Sequence, residues 1–288
     1  MVEQVKFALG DSNEVIIRYP GRTGAKGEKR AQRRRRTPEE IERQNQTNKE
    51  NNLRRKIVLN FKAGDLWCTL KYPAGTIKTA DELKADWNDF RRRLSREYRK
   101  VGYELKFIYR MEIGKNGGAH IHVLVNRIPD AELAIDKAWI HGRVYRASVY
   151  KEGGCEQLAD YIAKKDPVLE SLKEKKRELE RQTEGQIGMF DDATLEEISR
   201  KIAERSKLRA FGCSRNLIRP EDVKTVTKYS HWTIRALFDG DLPKASEGFA
   251  INKDSVYFGV NPFTGLSYVR YTEERMEGWK SLKKPPST

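Results

Sequence analysis

The chain is poor in the residues that build crosslinked or metal-ribbon folds. Its 288 residues include three cysteines, Cys68, Cys155 and Cys213, an odd number at wide spacing that fits neither a disulfide framework nor a zinc ribbon. No stretch approaches the roughly 18 consecutive apolar residues of a membrane span, and the first residues do not read as a secretory signal. No Gly-x-x-x-x-Gly-Lys-Ser/Thr loop occurs, which excludes a fused motor of that type. Histidine is scarce, with four in the chain, and acids are outnumbered: 57 Lys and Arg stand against 42 Asp and Glu, a formal charge of +15 with a pI near 9.6. That surplus points to a polyanionic partner. Nucleic acid is the commonest one for a soluble basic chain, because counterions displaced from phosphates drive association.

The charge is unevenly placed. Residues 21–36 hold eight basic side chains with Glu28 as the one acid, and residues 38–52 are almost wholly polar. Residues 1–52 therefore read as a basic arm, partly disordered. Arg33, Arg34, Arg35 and Arg36 are its candidate DNA contacts, and a solvated leader without a specific role is the alternative.

From about Leu53 the pattern becomes globular. Residues 57–61 and 66–72 read as strands, the second with Thr69 and Lys71 alternating against Leu70 and Tyr72. Thr79 and Glu82 then form a capping box. Leu83, Trp87, Phe90, Leu94 and Tyr98 follow it at helical spacing as one apolar stripe, with Arg91, Arg92, Arg96, Arg99 and Lys100 on the other side. For those cations a solvated face is at least as good a reading as a DNA contact.

The next segment carries the densest chemistry. Two of the four histidines, His120 and His122, fall two apart on an apolar run, so on a strand both project from one face while Ile121, Val123 and Val125 project from the other. The run at 107–113 precedes them, and Gly114, Asn116, Gly117 and Gly118 suit a hairpin between the two. With 113 opposite 119, Glu112 lies directly across from His120, about 5 Å away between Cβ atoms. A carboxylate and two imidazoles on rigid elements, with room for water and a substrate oxygen, make an open metal site. A hydrogen-bonded structural histidine pair is the competing reading.

After a short helix at 130–140 and a strand at 144–150, residues 155–165 read as a helix. Cys155, Leu158 and Ile162 share its docking stripe, and Gln157, Tyr161, Lys164 and Lys165 lie within about 60° of one another on an adjacent side. Taken alone, Tyr161 is an ordinary amphipathic tyrosine. Beyond it the chain reads as helix, turn and helix over 168–205, with the turn near 185–192, then short strands at 249–251, 256–258 and 268–271.

These residues resemble the HUH endonucleases, in particular the single-tyrosine initiators of rolling-circle replication in plasmids and phages. The strand at 66–72 is similar to that family's first motif, 119–125 to its His-hydrophobic-His motif, and Tyr161-Ile162-Ala163-Lys164 to its Tyr-x-x-Lys motif. Glu112 stands where many members keep a third metal ligand, and the segment 211–217 looks like one found in bacterial and filamentous-phage-type initiators. The resemblance covers roughly 53–167. It implies a metal-dependent DNA endonuclease and strand transferase, with Glu112, His120 and His122 holding Mn²⁺ or Mg²⁺. In that reading Tyr161 is the nucleophile and Lys164, with Lys165 as second candidate, the aid to phenolate or phosphate charge.

Arg110, Lys71 and Gln157 are then expected DNA contacts, and with no second tyrosine near Tyr161 the resemblance is to the one-tyrosine members. The implied partners are single-stranded or hairpin origin DNA, together with a host helicase and polymerase, in the cytoplasm of a bacterial host. A relaxase or transposase shares the chemistry. A non-haem metal oxygenase would use a similar triad, and a non-catalytic DNA-binding regulator would share the charge. The expected fold is α+β, with a central antiparallel sheet of about five strands and flanking helices. It divides into an arm at 1–52, an endonuclease domain at 53–167 and a helical region with a β tail at 168–288.

Overall fold

The computed structural model describes residues 2–19, 36–149, 154–183, 192–208, 211–227, 239–241, 243–260 and 267–276. In chain order the elements are strands β1 (Val2–Ala8) and β2 (Ser12–Arg18), helix α1 (Pro38–Asn60), β3 (Leu66–Lys71), α2 (Ala80–Lys100), β4 (Phe107–Ile113), β5 (Ala119–Val125), α3 (Ala131–Ala138), β6 (Arg143–Ser148) and α4 (Gly154–Ala163). There follow α5 (Pro167–Thr183), α6 (Asp192–Ser206), β7 (Gly212–Cys213), β8 (Asp222–Thr227), β9 (Phe249–Val260) and β10 (Ser267–Arg275). They gather into two compact units, Gln46–Ile218 and Met1–Asn45 with Arg219–Thr288.

The first unit is built on a five-stranded antiparallel sheet in the order β6-β3-β5-β4-β7, as the α+β reading expects. Strand alternation gives it two faces. One carries Leu66, Cys68 and Leu70, Ile121, Val123 and Val125, with Phe107 and Met111, and packs against the apolar stripe of α2 and the small residues of α3. The other buries only one end of its surface: Ile108 and Leu124 meet Leu53, Ile57 and Phe61 from α1 and its exit, and Ala159, Ile162 and Ala163 from α4. Each fully buried large side chain here contributes about 1.5–3 kcal/mol.

Helix α2 begins where the sequence says it should. Thr79 Oγ1 accepts from the Glu82 amide and the Glu82 carboxylate accepts from the Thr79 amide, a reciprocal cap. Its stripe of Leu83, Trp87, Phe90, Leu94 and Tyr98 is buried throughout.

Two expectations are corrected. Residues 57–61, read as a strand, are the last turn and exit of α1. Leu53, Ile57 and Phe61 recur every four residues, so they face one way from a helix, and a short apolar run cannot by itself tell helix from strand. The first residues are no simple arm either. In the second unit β1 and β2 form a hairpin inside a sheet ordered β8-β1-β2-β10-β9. The β tail expected at the C-terminus completes that same sheet, around Val2, Val15, Ile17, Val269 and Tyr271. Buried Glu273 accepts from the Asn13 side chain at 3.1 Å and from the Ser246 amide at 2.9 Å, so its charge is hydrogen-bonded. The basic run at 21–36, save Arg36, and the turn at 185–192, save Asp192, lie outside the described residues.

Replacing Thr79 by Ala removes one half of the α2 cap and is expected to lower stability by about 1 kcal/mol. Urea denaturation followed by tryptophan fluorescence reads this, since Trp87 lies on the capped helix; an unchanged midpoint would show that the cap contributes nothing.

Candidate active site

The site is assembled from one hairpin and one helix. Gly114 and Gly118 close the β4–β5 connection through a 2.8 Å amide-to-carbonyl bond, and Gly117 takes a φ of 79°, the left-handed region that favours glycine. The register sets Ile113 opposite Ala119, Glu112 opposite His120 and Arg110 opposite His122. All four site side chains therefore share the sheet face that is only partly covered. β3 runs on the other side of β5, with Lys71 opposite His120 and Thr69 opposite His122.

Glu112, His120 and His122 converge as expected. Glu112 Oε2 is 2.9 Å from His120 Nε2 and 3.5 Å from His122 Nε2, and the three donor atoms lie within 4.8 Å of one another. Adjacent ligands of a metal bound at about 2.1 Å are about 3 Å apart, so this mixed oxygen and nitrogen set fits a divalent cation without rearrangement. The His122 ring is fixed on both sides: its Nδ1 is 3.0 Å from Thr69 Oγ1 and the Trp67 ring stacks on it at 5.4 Å with a 7° interplanar angle. A proton on Nδ1 given to Thr69 leaves the Nε2 lone pair facing the centre, the usual outer-shell device for a ligating imidazole.

Tyr161 comes to the same point from α4. Its Oη is 2.7 Å from His122 Nε2 and 3.2 Å from Glu112 Oε2, and the side chain remains 38% exposed, open to a large substrate. Burial, together with the charge and hydrogen bond of Glu112, pushes the phenol up to about 12, against the opposing pull of Arg110. Burial also works to raise the Glu112 carboxyl, but hydrogen bonds with His120 and His122 and the charge of Arg110 outweigh it and hold the group well below the usual carboxylate range. Glu112 is thus an anion ready to act as a ligand.

Arg110, expected as a DNA contact, is instead 4% exposed. Its Nε donates to Glu112 Oε1, and its Nη1 donates to the carbonyls of Ile162 at 3.0 Å, Tyr161 at 3.5 Å and Lys164. A helix leaves its last carbonyls without intrahelical partners, and here β4 supplies the missing donor. Gln46 and Lys49 of α1 do the same for the Ala163 carbonyl, at 2.9 and 3.4 Å. The sequence reading missed these roles because it took Arg110 by charge alone; two residues before Glu112 on the same strand face was the available signal. Thr69 and Trp67 could have been found by the same alternation.

The other expected contacts are spread around this centre. Lys164 and Lys165 lie just past α4, exposed, while the charges acting on the phenol are those of Glu112 and Arg110. Gln157 is exposed one turn before Tyr161. Lys71 is exposed on the site face, its Nζ 4.7 Å from the centre of the Tyr145 ring. Arg36 is exposed, and Arg33, Arg34 and Arg35 lie outside the described residues.

A sheet that presents a carboxylate, two imidazoles and a helix-borne tyrosine to one point defines a candidate phosphoryl-transfer protein. The replication-associated protein family of the ORF2 type matches residues 65–166, a segment that contains Glu112, His120, His122 and Tyr161. This chain is similar to that family in agreement with the resemblance to rolling-circle initiators, and a part in DNA replication follows. No curated protein and no solved structure matches the chain. Among the described residues no helix is long and apolar enough to cross a membrane.

Replacing Arg110 by Met strips a buried carboxylate and three carbonyls of their donor and is expected to cost about 3–5 kcal/mol. Urea denaturation in chelator measures it. A loss below about 1 kcal/mol would mean that the guanidinium does not carry the link between β4 and α4.

Proposed function

We propose that this protein initiates rolling-circle replication by nicking one strand of its origin, in single-stranded or extruded-hairpin DNA, and rejoins ends by the reverse transfer. The observation that carries the reading is the approach of Tyr161 Oη to within 2.7 Å of His122 Nε2 and 3.2 Å of Glu112 Oε2. A nucleophile and a cation-binding donor set thus share one point.

In the proposed reaction the Tyr161 oxygen attacks the scissile phosphorus, a phosphotyrosine bond to the 5′ side forms, and the bond to the 3′ oxygen breaks. The phenol proton passes to a base, and the 3′ oxygen takes up a proton as it leaves, giving a free 3′-hydroxyl that a polymerase can extend. A divalent cation, Mn²⁺ or Mg²⁺, supplies charge for the non-bridging oxygens when bound. Glu112, His120 and His122 would hold it, with Thr69 and Trp67 fixing the His122 ring. Arg110 holds the tyrosine helix on the sheet. Lys164, Lys165, Gln157 and Lys71, exposed around the opening, would meet the DNA phosphates flanking the scissile one, as would the arginines at 33–36. With one nucleophile, each transfer is reversible. Strand separation then falls to supercoiling or a host helicase, in the cytoplasm of the host.

The test incubates the full chain and Mn²⁺ with labelled single-stranded oligonucleotides tiling the replicon and looks for a denaturant-resistant adduct on one of them. Tyr161→Phe is expected to abolish the adduct, and His122→Ala to lower its rate at least about hundredfold. An adduct that persists in Tyr161→Phe, or that forms equally well in chelator, would overturn the assignment. Metal binding has its own readout: Mn²⁺ at about 100 times its dissociation constant should stabilise the protein by about 2.7 kcal/mol, seen as a rise in Tm that His120→Ala largely removes.

A further inference from the structure

Helix α2 turns its arginines toward a groove of about 600 Å³ on the far side of the sheet from the candidate site. Its apolar stripe packs on the sheet face carrying Leu70, Ile121 and Val123, opposite to the face that carries Glu112, His120 and His122. The groove also lies toward the start of β4, at Phe107, five residues or about 17 Å along the strand from Glu112. Nucleotides held at the site cannot reach it without wrapping the domain.

The charge of the groove is one-sided. Arg91, Arg92, Arg93, Arg96 and Arg99 line it, with Asp89 as the one acid. Arg92 pairs with Asp89 at the surface, a kind of ion pair that contributes little and yields to competing phosphate. Arg99 donates to Ser95 of its own helix. Arg92, Arg96 and Arg99 lie within about 60° on the helical wheel and span about 10 Å of axis, enough for two or three successive phosphates of one strand. The floor, Leu105 and Phe107, is nearly closed to solvent at 9% and 8% exposure. The lining therefore offers no open ring on which an unpaired base can stack. Contacts limited to backbone phosphates suit a paired duplex better than a single strand.

We propose that the α2 groove is a second DNA-binding surface, one that holds the phosphate backbone of duplex DNA flanking the nicked segment. The proposal rests on the reading of this protein as one that works on DNA, but it needs no nicking chemistry. Its test is the binding of a fluorescein-labelled 30-base-pair duplex (a length of roughly three turns) to the full chain in chelator, followed by anisotropy over a salt series.

A triple variant, Arg92→Gln with Arg96→Gln and Arg99→Gln, is expected to weaken duplex binding at least about tenfold and to reduce the slope of log affinity against log salt by about two to three. Affinity for a labelled single strand should change less than about twofold, and the triple lysine counterpart should bind duplex within about threefold of the parent. Unchanged duplex affinity and slope, equal losses for duplex and single strand, or equal losses in the lysine and glutamine variants would each overturn the proposal. Adduct formation on a single-stranded oligonucleotide is read separately, so a failure of the nicking reaction and a failure of the groove cannot be confused.

Discussion

The site depends on one buried guanidinium. Arg110 is held by β4 and makes its hydrogen bonds in two directions, to the carboxylate of Glu112 and to the carbonyls that end α4. α4 spans ten residues, too short to hold a helical conformation by propensity alone, so its stability must come from docking. Ile162 and Ala163 give the apolar part of that docking. The polar part comes from Arg110, Gln46 and Lys49, cations and a neutral donor placed where the helix dipole is negative. One side chain therefore ties the position of Tyr161 to the position of Glu112. A displacement of α4 would leave a buried charge and several carbonyls unsatisfied, which makes the docked arrangement strongly preferred over nearby alternatives.

The same sheet face is dry at one end and wet at the other, and the ligands sit at the boundary. The row of Trp67, Leu124 and Ile108 packs beneath α1 and α4. The next row, with His122 and Arg110, is nearly enclosed, and the row after it, with His120, Glu112 and Lys71, opens to solvent. Side-chain exposure follows that order, 10% for His122 against 28% for His120. Enclosure strengthens the electrostatics at His122 and Arg110, whereas the open row leaves the approach that a polymer substrate needs. A fully covered face would have excluded DNA, and a fully open one would have left the arginine link exposed to water.

Local periodicity was sufficient for most of this. The alternation in β4 and β5, the glycine hairpin between them and the wheel of α4 are enough by themselves to place Glu112, His120, His122 and Tyr161 on converging faces. The cap and stripe of α2 were equally legible. What escaped was either ambiguous in length or distant in sequence. The three apolar residues of the α1 terminus, Leu53, Ile57 and Phe61, sit behind a polar stretch and match a strand as well as a helix. The pairing of β2 with β10 joins segments about 250 residues apart, and nothing within β1 or β2 announces a partner so remote. Arg110 was legible as a position but not as a role, because its partners, the carbonyls of another element, have no signature in the sequence.

Tyr161 now meets a conflict that the geometry itself defines. The lone pairs that hold its hydroxyl, on Glu112 Oε2 and His122 Nε2, are those the donor set would give to a cation, and they cannot serve both at full strength. The upward push on the phenol from Glu112 therefore belongs to the metal-free protein, in which the carboxylate faces Tyr161 without a shared positive charge other than Arg110. Arg110 is placed to hold Glu112 from its other oxygen, Oε1, so the carboxylate stays oriented whichever group Oε2 serves. The exchange of partners at Oε2 can then occur without moving β4, and α4 keeps its anchor on the same guanidinium throughout.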